Sequence, residues 1–311
     1  MKYVRELKEG DRISDIYLCK SCNSALTRNG KEYENVVLLD KTGTIDAKVW
    51  EPHSAGIGEH EALDYIEVGG EVTSFNGALQ VNVKRIRKCD EGEYDPSNYV
   101  PTTPYDVEEM WTELKGMIES VGEPHLRQLL DHFFGNEEFA ASFKKSSAAK
   151  SIHHGFVGGL LQHTLGVARI CDFLAGRYDR LNRDLLITAA LCHDIGKIRE
   201  LSRFPQNDYT DEGQYLGHII IGVEMVDEAL RDIDGFPPAL ENELKHCILS
   251  HHGEFEFGSP KKPAIIEAVA LNFADNTDAK LEAFTEILDN NDSVGWLGFN
   301  RIFESNLHKA L

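Results

Sequence analysis

Seven residues of metal-binding type stand out in this chain: His163, His193, Asp194, His218, His251, His252 and Asp275. Their neighbours indicate where they sit. Leu186, Ala189, Ala190 and His193 recur at three- and four-residue steps, which places His193 on the buried stripe of an apolar helix. His163 shares a second such face with Leu160, Val167, Ile170 and Leu174. One buried imidazole is ordinary. Five of them, with two carboxylates, are costly to bury unless something pairs them, and a divalent cation suits the whole set. Imidazole and carboxylate together fit Mn, Fe, Co, Ni or Zn.

The elements that must position these residues divide the chain in two. Residues 1–90 read as strands. Val36–Leu39, a turn at Asp40-Lys41-Thr42-Gly43 and the alternating stretch Thr44–Trp50 form one hairpin. Asn29-Gly30 marks a turn between Tyr17-Leu18 and Tyr33. Tyr65–Val68 with Gly69-Gly70, and Val72–Phe75 with Asn76-Gly77, read as two further strand-turn units before Leu79–Val83. Five or so short strands in this space predict a small all-β barrel that resembles an OB-fold. Residues 91–105 are acidic and contain Pro96, Pro101 and Pro104, which predicts a solvated linker. From 106 to 311 helical periodicity dominates, beginning with the stripe Met110, Leu114, Met117, Ile118 and Val121. An all-α domain is expected there, with breaks at 155–159, 204–213, 235–238 and 253–263.

Composition narrows the classes. No apolar run reaches the ~18–20 residues of a membrane helix. The Met1–Glu6 start lacks the apolar core of a signal peptide. The six cysteines, at 19, 22, 89, 171, 192 and 247, are scattered as reduced thiols would be, so a cytoplasmic protein is expected. Cys19-Lys20-Ser21-Cys22 has no second Cys pair, and no zinc knuckle is expected from it. Net charge is −20, which counts against a polyanionic partner, but it is uneven. Residues 1–90 hold 13 Lys+Arg and 15 Asp+Glu, and residues 91–311 hold 19 and 37. The first region also carries Lys84, Arg85, Arg87 and Lys88, which could track a nucleic-acid backbone or be a solvated strand end. Tyr17, Tyr33, Trp50 and Phe75 could stack on unpaired bases or fill the barrel core.

The order His, His-Asp, His, His-His, Asp resembles that of the HD phosphohydrolase superfamily. The strings His153-His154-Gly155-Phe156-Val157-Gly158-Gly159-Leu160-Leu161-Gln162-His163-Thr164, Gly217-His218, Leu249-Ser250-His251-His252-Gly253, Gly258-Ser259-Pro260 and Asp275-Asn276-Thr277-Asp278-Ala279-Lys280 are similar to the YhaM family of 3′–5′ exoribonucleases. So is the layout of an OB-fold followed by an HD domain, and the resemblance implies a phosphohydrolase core over about 150–285. The resemblance implies that His163, His193, Asp194 and Asp275 form one metal site. It also implies that Asp194 bridges to a second cation on His218, His251 and His252. Mn is the metal expected first, with Fe, Co, Ni, Zn or Mg as alternatives. His153, His154 and Lys280 would contact substrate, together with Trp50 and the basic cluster of the first domain. Two cations ~4 Å apart can activate a water and stabilise both attacking and leaving oxygens of an in-line displacement at phosphorus. Lys197, one turn past His193, could add charge stabilisation beside Asp194 or be a solvated helix end.

Three functions remain open at this stage. The first is a metal-dependent exonuclease on single-stranded RNA, or also single-stranded DNA, releasing nucleoside monophosphates. The second is a phosphohydrolase of small nucleotides or cyclic dinucleotides, which leaves the barrel without a task. The third is a nucleic-acid-binding protein with no turnover. The apolar surface of the helical region is also sufficient for a homo-oligomer.

Overall fold

The computed structural model describes residues 1–27, 29–75, 77–150, 155–289, 291 and 293–310. It divides into two compact units, Met1–Thr102 with Arg203–Asn207, and Thr103–Ser202 with Asp208–Leu311.

The first unit is a closed five-stranded barrel of β1 (Arg12–Leu26), β2 (Glu32–Asp40), β3 (Gly43–Val49), β4 (Tyr65–Phe75) and β5 (Ala78–Lys88), in the order β1-β2-β3-β5-β4. Closure leaves no open edge, because β3 pairs in parallel with β5. The β2–β3 turn falls where Asp40-Lys41-Thr42-Gly43 predicts it. Asp40 Oδ1 accepts from the Thr42 N–H (2.7 Å) and Oγ1 (2.6 Å), the local bond that makes aspartate a turn former. Tyr65–Val68 and Val72–Phe75 are one strand rather than two. Gly69 and Gly70 lie inside β4 at a register shift, and a Cβ on Gly70 would lie 2.6 Å from the Asn82 carbonyl oxygen. These glycines allow close strand approach instead of turning the chain. The segment expected as a linker over 91–105 is also tied down in part. Tyr94 stacks on Tyr65 with ring centroids 3.7 Å apart, and buried Tyr99 meets Tyr65 edge-on at 5.1 Å.

The second unit is helical: α1 (Val107–Glu119), α2 (Pro124–Phe134), α3 (Glu137–Lys145), α4 (Gly159–Arg177), α5 (Arg183–Cys192), α6 (Lys197–Glu200), α7 (Asp211–Leu230), α8 (Pro238–Ser250) and α9 (Ile266–Asp289). Starts are set by ordinary caps. Asp106 accepts from the N–H groups of Glu108 and Glu109, Asn182 from Leu185 and Thr210 from Gly213. Every residue of α5 from Leu185 to Cys192 is buried. A helix that is apolar all round belongs at a domain centre, and here its C-terminal end delivers His193 and Asp194 into the core. The helical reading holds to Asp289. Beyond it the chain forms a hairpin of β6 (Gly295–Asn300) and β7 (Ser305–Lys309). Gly295 and Gly298 interrupt any helical pattern in that stretch. No helix among the described residues is long and apolar enough to cross a membrane.

Candidate metal centre

Three helices and the ends of two others bring the seven predicted ligands together. His163 lies on α4, His193 caps α5, and Asp194 follows in the turn before α6. His218 lies on α7, His251 and His252 follow α8, and Asp275 lies on α9. α7 kinks at Gly217 (φ 72°, ψ 157°), a conformation that disfavours a side chain, and the kink directly precedes His218.

The five imidazoles share one arrangement. His163 Nδ1 donates to Asp278 Oδ2 (2.7 Å), His193 Nδ1 to the Ala190 carbonyl (2.7 Å) and His218 Nδ1 to Glu200 Oε1 (3.0 Å). His251 Nδ1 donates to the Ile248 carbonyl (2.7 Å), and His252 Nδ1 to the Phe257 carbonyl (2.8 Å). Each acceptor is a carbonyl or carboxylate oxygen that cannot donate, so every Nδ1 carries a proton and every Nε2 is the available ligand atom. Those Nε2 atoms converge in two triads, His163–His193–Asp275 and His218–His251–His252, whose ligand atoms lie within 4.8 Å of one another.

Asp194 stands between them and is 2% exposed. Its Oδ2 lies 3.4 Å from His163 Nε2 and 3.3 Å from His193 Nε2. Its Oδ1 faces His218 Nε2 at 3.5 Å and His251 Nε2 at 3.8 Å. Among the described residues, Asp194 Oδ1, His218 Nε2 and His251 Nε2 are buried atoms with no hydrogen-bond partner. Buried polar atoms are otherwise satisfied almost without exception. Three orphaned donor atoms turned toward one another, in an N/O donor set, fit a divalent cation.

The triads differ in charge state. Burial pulls the His163 imidazole down, but hydrogen bonds to Asp194, Asp275 and Asp278 outweigh it and raise it well above its ordinary value. Burial pushes Asp194 and Asp275 up, but Lys197 with the neighbouring histidines reverses this at Asp194, and His163, His193 and His251 reverse it at Asp275, leaving both carboxyls below the usual range. His251 and His252 move the other way, lowered by burial and by each other or by neighbouring histidines. Lys197 Nζ lies 2.5 Å from Asp194 Oδ2, with only 14% of its side chain exposed, so it is no solvated helix end.

Three residues of the site were not predicted in these roles. Glu200, 8% exposed, accepts both the N–H and Nδ1–H of His218 at 3.0 Å. Asp278 holds His163, and Asn272 Nδ2 donates to the His251 carbonyl (2.7 Å). A buried glutamate three residues past Lys197 is a signal that sequence could carry, since glutamate is rarely buried alone. A cavity of about 530 Å³ adjoins the centre, lined by His163, Lys197, His252, Asn272, Asp275 and the predicted Lys280, among others. His153 and His154 lie outside the described residues.

In the barrel, Trp50 is 43% exposed, stacks on Tyr33 at 5.2 Å and donates its Nε1–H to Asn82 Oδ1 (3.2 Å). Phe75 is exposed as well. Tyr17 is not a stacking candidate, because it is fully buried in the barrel core with its hydroxyl on the Lys2 carbonyl (2.8 Å). The basic cluster is split. Lys84 and Arg85 are exposed, whereas Arg87 pairs with Glu67 and Glu93, and Lys88 with Asp64.

The second OB-fold domain of replication protein A from Methanococcus maripaludis is similar at 17% identity over 30% of this chain and 97% of that one, with a TM-score of 0.21. The HD domain of L. monocytogenes phosphodiesterase PgpH is similar at 17% identity over 54% of this chain and 80% of that one, with a TM-score of 0.28. Likeness at this level says nothing of substrate. The family match is local and definite: residues 160–280, a span that holds all seven ligands, match the HD domain, so the helical unit of this chain carries an HD domain.

Proposed function

We propose that this chain is a metal-dependent phosphodiesterase that removes nucleoside monophosphates from the 3′ end of single-stranded RNA. The observation that carries the hydrolytic reading is the shared tautomer of the five histidines, each with Nδ1 occupied and its ligand atom gathered into one of the two triads around Asp194. Such uniform orientation prepares a ligand set and serves no packing purpose. Divalent cations held by these residues, with Mn²⁺ the first choice, would supply a water of lowered pKa and neutralise charge on phosphoryl oxygens. Asp278 and Glu200 fix the ring planes of His163 and His218. Lys197 and Lys280 line the cavity and place positive charge where a phosphate would sit. The nucleic-acid reading rests on the barrel and its exposed Trp50–Tyr33 stack, a surface to which unpaired bases can add.

One observation favours a small-nucleotide substrate instead: the carboxylates on Arg87 and Lys88 remove half of the barrel's basic cluster. The test is hydrolysis of 3′-labelled single-stranded RNA with Mn²⁺, after chelation, and by His193→Ala. Labelled mononucleotide as the first product, dependent on metal and absent in the variant, supports the proposal. Internal fragments first would refute the exonuclease. Turnover of a small phosphodiester with none of RNA would move the substrate to small nucleotides.

A further inference from the structure

A second, unrelated set of metal-type side chains meets in the barrel. Cys22 on β1, Glu34 on β2 and His60 in the connection between β3 and β4 place their donor atoms within 4.8 Å of one another. The register explains the first two. Cys22 stands opposite Val36 and Ser24 opposite Glu34, which makes Cys22 and Glu34 diagonal neighbours on one face. The third is delivered by a connection anchored at both ends. Ile57 bridges to Ile86, with the Gly58 N–H on the Ile86 carbonyl (2.9 Å). On the far side the Leu63 N–H reaches the Cys19 carbonyl (2.6 Å), and the Cys19 N–H reaches the Asp64 carbonyl (2.9 Å).

His60 is held between those anchors with 3% of its side chain exposed. Its Nδ1 donates to the Gly58 carbonyl (2.9 Å), which fixes the proton there. Nε2 therefore turns inward, 3.6 Å from Cys22 Sγ and 3.5 Å from Glu34 Oε2. A thiol hydrogen can satisfy one of these acceptors and not both. Glu34 Oε2 is buried and has no hydrogen-bond partner among the described residues. Tetrahedral zinc with ordinary bond lengths spaces nitrogen and sulfur donors about 3.6 Å apart, and nitrogen and oxygen donors about 3.3 Å apart. The distances found are close to both.

We propose that Cys22, Glu34 and His60 form a structural site for a thiophilic divalent cation, Zn²⁺ by donor chemistry, that fastens the β3–β4 connection to β1 and β2. The site is distinct from the HD centre in position and in donor type. Cys19, the other half of the Cys-x-x-Cys pair, takes no part, because the register shift between Cys19 and Ser21 leaves it in the barrel core.

Sulfur provides the test. All seven HD ligands bind through nitrogen or oxygen, so a thiolate-to-cobalt charge-transfer band in the near ultraviolet reports this site alone. Reduced full-length protein is titrated with Co²⁺. The expected result is a band that saturates within three equivalents, since the HD centre also takes Co²⁺, that persists in His193→Ala, is bleached by Zn²⁺ and disappears in Cys22→Ser. His60→Gln should weaken or abolish it. No band in the wild-type protein, where folding is not in question, would overturn the proposal. A band that survives Cys22→Ser would overturn it as well.

Discussion

The two triads of the HD centre share a fold, a bridging aspartate and a tautomer, yet they are built on different electrostatics. His163, His193 and Asp275 combine two deeply buried imidazoles with a carboxylate, and Asp278 adds a second negative group behind His163. His218, His251 and His252 are imidazole only, more open, with Glu200 behind His218. In the first triad His163 therefore holds its proton tightly when no cation is bound, whereas in the second burial favours the neutral rings of His251 and His252. One aspartate can serve both because its two oxygens are divided between them.

The largest expected effect comes from removing what the triads share. Asp194→Asn should abolish hydrolysis and reduce bound metal at both triads, whereas His252→Ala should spare the ion of the first triad. Metal analysis after gel filtration distinguishes the two outcomes. Equal loss in both variants would show that the triads are not separable.

Next in size is the effect of the groups behind the ligands. Asp278→Asn and Glu200→Gln should each weaken metal affinity about 10–100-fold, the range typical of such support, with Asp278 acting on the first triad and Glu200 on the second. Calorimetric titration with Mn²⁺ reads both. The same change in the same binding phase would contradict the assignment.

The pH dependence should then separate the triads without mutation. His163 is raised, so a cation enters the first triad by expelling a proton, and its affinity climbs as pH rises through the ordinary histidine value of about 6.5 and beyond. His251 and His252 are lowered, so over that range the second triad has no such proton to lose from them. Titrations in buffers of different ionisation enthalpy should show proton release from His163 in the first-triad phase and none from His251 or His252 in the other.

The smallest effect is expected at Lys197. Its ion pair with Asp194 should yield to a bound cation, so Lys197→Met should lower turnover while leaving metal stoichiometry intact. Loss of metal in that variant would make Lys197 a positioning residue for Asp194 rather than a group for the phosphate.

The seven candidate ligands can be named because their order resembles that of the HD superfamily, while periodicity places only His163 and His193 on buried helix faces. Glu200 and Asp278 were not assigned, because their roles arise from contacts 18 and 115 residues away in sequence, to His218 and His163. The barrel shows the same limit. Its strands could be read from alternation, but Gly69-Gly70 looks like a turn until the proximity of Asn82 is known. Tyr17 and Trp50 are indistinguishable by composition, and only closure of the barrel puts one inside and the other on the surface. The Cys22–Glu34–His60 cluster depends on strand register and a clamped connection, neither of which spacing reveals.

In the proposed site Asp194 joins two cations, one on each triad. Electron paramagnetic resonance of the protein loaded with two equivalents of Mn²⁺ tests it most directly, since the thiolate-containing barrel site disfavours that metal. An exchange-coupled spectrum that reverts to isolated Mn²⁺ in Asp194→Asn is the predicted result. Isolated Mn²⁺ alone in the wild-type protein at saturation would contradict it.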